Sequence, residues 1–250
     1  MWRLVSWKRK FFLALVLVLS GSIFSLVDLP ASPVAAASAV KNNWSDSSIA
    51  HSAFLFSLYD QLKLGTLSLS REAFLYGLNG YSKLVAEGAV QRDDVITVID
   101  FSLPSWKKRL FVIDLEKGKL LFNTYVSHGK NSGAAMATRF SNRYNSYQSS
   151  PGFYITRDTY FGQHGFSLRL DGKEDGINDN AMARAIVMHA ADYASTKSIR
   201  ALGYLGRSLG CPAVPPAVHK PLINTIKEGS CLFIYSPDKN YINRSRLINY

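Results

Sequence analysis

Apolar positions change their spacing along this chain, and each change predicts a different element. Phe54, Leu58 and Leu62 recur every four residues, which gives one apolar face of a first helix. Phe74, Leu78, Tyr81 and Val85 follow a 4-3-4 spacing and predict a second helix. Ser70 is placed as its N-cap, and Glu72 lies in its first turn. From Val95 the rhythm becomes that of strands. Val95–Ile99 is compact and β-branched, and two further runs, 110–113 and 120–126, flank the turn residues Glu116-Lys117-Gly118-Lys119. Further strands are expected near 152–156, 167–170, 185–189 and 231–236, with a helix between the last two that ends at Glu228-Gly229. Pro221 should start or kink that helix.

Many short strands and few helices predict a β-rich α+β domain over 95–238. Residues 38–94 read as a linker followed by the N-terminal helices, and 239–250 as a C-terminal tail. The extreme N-terminus follows neither rhythm. Arg3, Lys8, Arg9 and Lys10 precede an apolar run from Phe11 to Val27, and Ala35-Ala36-Ala37 then offers small residues for cleavage. That order reads as a secretory signal over 1–37. An uncleaved anchor is the alternative, since the run lies at the lower limit for a membrane span. Either way the rest of the chain is expected outside the cytoplasm, in the periplasm or cell envelope, touching membrane only through an uncleaved signal.

Export changes how charge and cysteine are read. Of 250 residues, 47% are hydrophobic and 19% charged, which fits a globular core rather than disorder. The net charge is +11. A basic surface in that compartment favours anionic cell-wall polymers or lipid headgroups and makes nucleic acid an unsuitable partner. Only Cys211 and Cys231 are present. A disulfide between them is one option in an oxidising compartment. Two free thiols are the other: Cys231 opens the apolar stretch Leu232-Phe233-Ile234-Tyr235, the setting of a core residue, whereas Gly210 and Pro212 frame Cys211 as a loop.

The candidate chemistry converges on that loop, Arg207-Ser208-Leu209-Gly210-Cys211-Pro212. A cysteine attacks as thiolate, and a nearby imidazole is the usual proton acceptor. His189 closes the apolar run Ala185-Ile186-Val187-Met188, on a strand that gives it rigid support. The backbone N–H groups of Gly210 and Cys211 are candidates for stabilising an oxyanion. His128 and His164 stand at strand-to-loop junctions, where an imidazole can face a cleft. The polar loop from Ser127 to Ser150 carries Ser132, Arg139 and Arg143, and its arginines could each grip a carboxylate. No metal or cofactor is expected. The Asp171–Gly176 turn fails as a calcium loop, with Lys173 at its third position and Met182 at its twelfth, and no zinc-type spacing of Cys and His occurs.

Taken together, several segments resemble the murein L,D-transpeptidase catalytic domain family, a branch of the YkuD-like enzymes. They include Val98–Ser102, Val126–Gly133, Tyr160–Gly165, Arg184–His189 and Gly206–Ala213. The resemblance implies a β-rich YkuD-like fold and a substrate of peptidoglycan stem peptides. It makes Cys211 the nucleophile and His189 the base, lets the carbonyl of Ala190 orient the imidazole, and includes Ser208 in the cysteine motif. An amine on a second stem or a lipoprotein would resolve the acyl-enzyme. The better-known motif reads Ser-His-Gly-Cys followed by Arg or Asn; here Leu209 stands at the His position and Pro212-Ala213 at the later ones, which leaves Arg207, Arg139 or Arg143 as the substitute carboxylate binder. Three functions stay open on this reading: L,D-transpeptidation, hydrolysis as an L,D-carboxypeptidase or endopeptidase at the same site, and peptidoglycan binding without turnover.

Overall fold

The computed structural model describes residues 53–249; the signal expected over 1–37 and the linker that follows it lie outside the described residues. Helix α1 runs over 53–61 and α2 over Arg71–Ala86. The strands are β1 (Arg92–Asp100), β2 (Leu110–Asp114), β3 (Lys119–Thr124), β4 (Gly152–Gly162), β5 (Gly165–Gly172), β6 (Val187–Ala190), β7 (Ala213–Val214) and β8 (Ser230–Tyr235). Helices α3 (Thr196–Leu202) and α4 (Pro216–Ile226) flank β7, and α5 (Lys239–Arg244) follows β8.

The strands form one sheet in the order β3-β2-β1-β8-β4-β5-β6-β7. Neighbours are antiparallel except β1 with β8 and β6 with β7. The sheet curls until its ends meet: just past β3, the Ser127 N–H donates to the Ala213 carbonyl in β7 at 2.8 Å. This gives the sheet its barrel-like form.

Both faces of the central strands are covered, so these strands read as continuous apolar runs. On the outer face Ile96, Val98, Phe233 and Phe153 pack beneath Phe74, Leu78 and Tyr81 of α2. On the inner face Val95, Ile99, Leu232 and Ile234 meet Leu222, Ile223 and Ile226 of α4. The N-terminal helices therefore share a core with the sheet. Ser70 caps α2 by accepting from the Ala73 N–H at 3.1 Å. Cys231 lies in the outer core, and both cysteines are free thiols.

Tertiary packing shifts some expected boundaries. The buried face of α1 is Leu55, Leu58 and Tyr59, while Phe54 is 38% exposed, because the sheet lies one residue further round the helix than a strict i, i+4 stripe implies. Helix α4 begins at Pro216 and carries Pro221 inside it, so Pro221 is not its start. Pro216 has already taken the first-turn position that suits a proline, and Pro221 removes one hydrogen bond within the helix. The helix ends at Ile226, before the expected Glu228-Gly229. Those two residues instead donate to the carbonyls of Arg157 and Thr156 and lead the chain into β8.

Gly80 marks the closest approach of α2 to the sheet. A Cβ there would lie 2.1 Å from Cζ of Phe153, whose ring stacks on Phe233 at 4.2 Å between centroids. Alanine gains about 1 kcal/mol of helix propensity over glycine. Overpacking a closed aromatic pair costs about 1–3 kcal/mol. Urea unfolding of Gly80→Ala is therefore expected to show a net loss of stability, against the helix-propensity trend.

Candidate active site

The β6–β7 seam sets the geometry around the thiol. His189 pairs with Ala213, and Ala190 with Val214. Two residues earlier on each chain stand Val187 and Cys211, and the Val187 N–H points at the Cys211 Sγ at 3.5 Å. Cys211 thus stands two residues before β7, on the segment that runs alongside the β6 strand carrying His189. No hydrogen bond joins them among the described residues. The thiol faces the Ala185 carbonyl at 3.7 Å. Ala185 holds φ 55, a left-handed conformation costly for a side-chain-bearing residue, and it is why β6 starts at Val187 instead of at Ala185.

The cysteine loop is braced from within. The Ser208 hydroxyl donates to the Cys211 carbonyl at 2.6 Å and accepts from the Gly210 N–H at 3.1 Å. The Gly210 amide is thus engaged inside the loop, while the Cys211 N–H is turned toward its own thiol. Gly210 has φ +128, and a Cβ there would lie 2.9 Å from the Gln148 carbonyl oxygen, so only glycine fits. Ser149 donates to the Gly210 carbonyl at 2.9 Å and accepts from the Gly129 N–H at 3.0 Å. Ser132 in turn accepts from the Ser149 N–H at 2.9 Å. Through these serines the 127–150 loop fixes the height of the thiol.

Arg184 anchors the same loop from the other side. Its guanidinium donates to the Ser141 carbonyl at 2.8 Å, the Ser150 hydroxyl at 2.6 Å, the Ser146 hydroxyl at 3.2 Å and the Gln148 carbonyl at 2.7 Å. Burial lowers its pKa, and its charge pulls the Cys211 thiol downward. Sequence reasoning quoted Arg184 only as part of a motif; its signal is a charge just before an apolar strand, and its contacts are all non-local.

Electrostatics favour an uncharged pair. Burial raises the Cys211 thiol above its usual value, opposed by the Val187 N–H and Arg184. Burial lowers the His189 imidazole, opposed by its bond to Ala190. His189 Nδ1 lies 2.9 Å from the Ala190 carbonyl and can only donate to it, which leaves Nε2 bare to accept a proton. His164, from the exposed β4–β5 turn, stacks on His189 with centroids 4.2 Å apart and 17° between planes. Tyr193, which sequence reasoning did not single out, is half-buried and also interacts electrostatically with Cys211.

The remaining candidates divide. His128 is 1% exposed and faces inward: Arg109 donates to its Nδ1 at 2.8 Å, so Nε2–H points to the Gly133 carbonyl at 3.3 Å. Ser132 is likewise buried. Arg139 and Arg143 are exposed, and so is Arg207, which donates to the Gly133 carbonyl at 3.2 Å. Two cavities share Ala185, whose carbonyl faces the thiol, and Ile186; Cys211 itself lines neither. One, of about 260 Å³, is bordered by Tyr144, Tyr147 and Leu209; the other, of about 240 Å³, by Tyr160, Arg169 and Met182. A larger cavity of about 560 Å³ lies elsewhere, between α2 and the β2–β3 turn, and has no cysteine or histidine in its lining. No cluster of metal-ligating side chains occurs among the described residues.

A family model described as the L,D-transpeptidase catalytic domain (YkuD_2) matches residues 66–235. No curated protein matches the chain. Among solved structures, an L,D-transpeptidase from Mycobacterium smegmatis is 15% identical with a TM-score of 0.36, over 57% of this chain and 59% of that one. One from Stackebrandtia nassauensis is 14% identical with a TM-score of 0.34, over 66% of each. One from Xylanimonas cellulosilytica is 13% identical with a TM-score of 0.33, over 67% of this chain and 81% of that one. The chain thus spans 59% of the length of the first of these.

Two predictions come from the buried groups. Burial and Arg109 depress His128 to about 3 from 6.5. A depressed folded-state value means that its contribution is complete above pH 6.5 and is lost as pH falls from 6.5 toward 3, at up to about 1.4 kcal/mol per unit. Urea unfolding at pH 7, 6 and 5 should show this slope, while the His128 ring signals should not titrate between pH 8 and 5. Arg184→Lys keeps the charge but loses the planar fork. It should leave the fold intact while chymotrypsin cuts at Tyr144 or Tyr147 at least several-fold faster.

Proposed function

Since this chain belongs to the L,D-transpeptidase catalytic domain family, we propose that it is an exported cysteine acyl-transferase of the cell envelope acting on peptidoglycan stem peptides. The observation that supports the proposal is the β6–β7 pairing, which sets His189 opposite Ala213, two residues after Cys211, with the imidazole Nδ1 bound to Ala190 and Nε2 left to accept a proton. An acyl donor and an amine acceptor each need room near the sulfur, and the two cavities that share Ala185, the residue facing the thiol, are the space assigned to them.

The raised thiol and lowered imidazole mean that no ion pair waits in the resting site. Proton transfer then accompanies attack. The Cys211 sulfur bonds to the carbonyl carbon of the L,D-peptide bond next to meso-diaminopimelate as its proton passes to His189 Nε2. The carbonyl oxygen becomes an oxyanion, with the Cys211 N–H as donor; Gly210 serves by shaping the loop, because its own N–H is bound to Ser208. Collapse breaks the C–N bond, and His189 returns the proton to the departing D-alanine amine. An acceptor amine from a second stem or a lipoprotein attacks the thioester and gives its proton to His189, which passes it to the leaving sulfur. The unchanged amide count makes this an exchange that consumes no cofactor.

Mass spectrometry of purified tetrapeptide muropeptides incubated with the protein tests this. Cross-linked dimers are expected, and Cys211→Ala should abolish them while the protein stays folded. Tripeptides in their place would identify an L,D-carboxypeptidase, cleaved dimers an endopeptidase, and no change a binding module. With His189 neutral and depressed, kcat/KM should hold a plateau at neutral pH and fall only below pH 6.5.

A further inference from the structure

The imidazole at 189 is restrained by two unlike contacts. The first lies in the plane of its ring, the Nδ1–H bond to the Ala190 carbonyl at 2.9 Å. One in-plane hydrogen bond selects a tautomer but leaves the ring free to rock about that bond. The second contact is the His164 ring, laid on its face at 4.2 Å and 17°. A flat neighbour blocks rocking, so each contact supplies what the other lacks.

The origin of His164 makes the second contact informative. Gly162 pairs with Gly165, which leaves Gln163 and His164 as the two central residues of the β4–β5 turn, with Gly165 at φ +72. Polar residues at such a turn usually point to water. This one instead reaches another element. Strand β5 pairs with β6 at Leu168↔Met188 and Arg169↔Val187, so the ladder carries the turn past the end of β6, over His189. The base of the turn is held by Phe166, which meets Phe161 at 5.4 Å and His219 at 6.3 Å.

We propose that His164 is a positioning residue that holds the His189 ring in the orientation needed to take the thiol proton, so that the β4–β5 hairpin governs whether the base is aligned. This rests on His189 acting as the base. His164 works through its flat face, and an aromatic ring without ring nitrogens serves the same purpose.

Ring-nitrogen NMR of the full chain, with and without His164→Ala and His164→Phe, tests the placement directly. In the unchanged protein and in His164→Phe, His189 should show one tautomer with Nδ1 protonated. In His164→Ala the same tautomer should persist, but its ring signals should shift and broaden as the ring rocks about the Ala190 bond. Iodoacetamide labelling of Cys211 supplies the functional side. His164→Ala should slow it roughly tenfold toward the rate of His189→Ala, as misalignment of a reacting group does, and His164→Phe should stay within about twofold of the unchanged rate. Unaltered His189 signals in His164→Ala, or a His164→Phe variant as slow as His164→Ala, would overturn the inference. A labelling rate insensitive to His189→Ala would instead overturn the reading of His189 as base.

Discussion

The two-residue strand β7 is the constraint on which the site depends. Its pairing with β6 fixes His189 opposite Ala213, and its bond from Ser127 joins it to the chain leaving β3. Cys211 is separated from this strand only by Pro212, whose fixed φ lets little error accumulate. The thiol inherits its place from a backbone ladder rather than from a bond to the imidazole. Such placement suits a nucleophile whose side chain must remain free to form and break a covalent bond.

Around that seam the polar network is dense and internal. Ser132, Ser149 and Ser208 are all buried; Ser208 braces the cysteine loop, Ser132 the 127–150 loop, and Ser149 ties the two together. Arg184 closes the set from outside with bonds to backbone and hydroxyl oxygens. Buried polar groups must be paired to be tolerated. A long loop without strands can therefore be rigid here, because its polar atoms are satisfied by other parts of the site.

Charge is kept low where the chemistry would occur. Arg109 is fully buried, lies over the Phe101 ring at 4.7 Å and gives its hydrogen bonds to the Leu103 and Val126 carbonyls and to His128. That arrangement holds one histidine neutral beneath the loop. A second, His189, is favoured neutral by burial. Burial thus favours the uncharged form of both the Cys211 thiol and the His189 imidazole.

The sequence by itself determined three of the five helices and most of the strands, and it singled out Cys211 and His189 as the candidate pair. Those features rest on local rules: the 4-3-4 spacing of α2, the Ser70 cap, the β-branched run of β1 and the glycine before Cys211. It also indicated that Cys231 belongs to the core, since a cysteine within an apolar strand has no loop to expose it. What it could not decide was the direction in which a polar side chain faces. His128 and Ser132 turn inward, His164 crosses from a turn to cover His189, and Arg184 gathers four oxygens from residues at least 34 positions away. Spacing encodes which face of an element an apolar residue occupies, because burial repeats with the backbone period. Hydrogen bonds across a closed sheet have no such period, so only the tertiary structure could assign them.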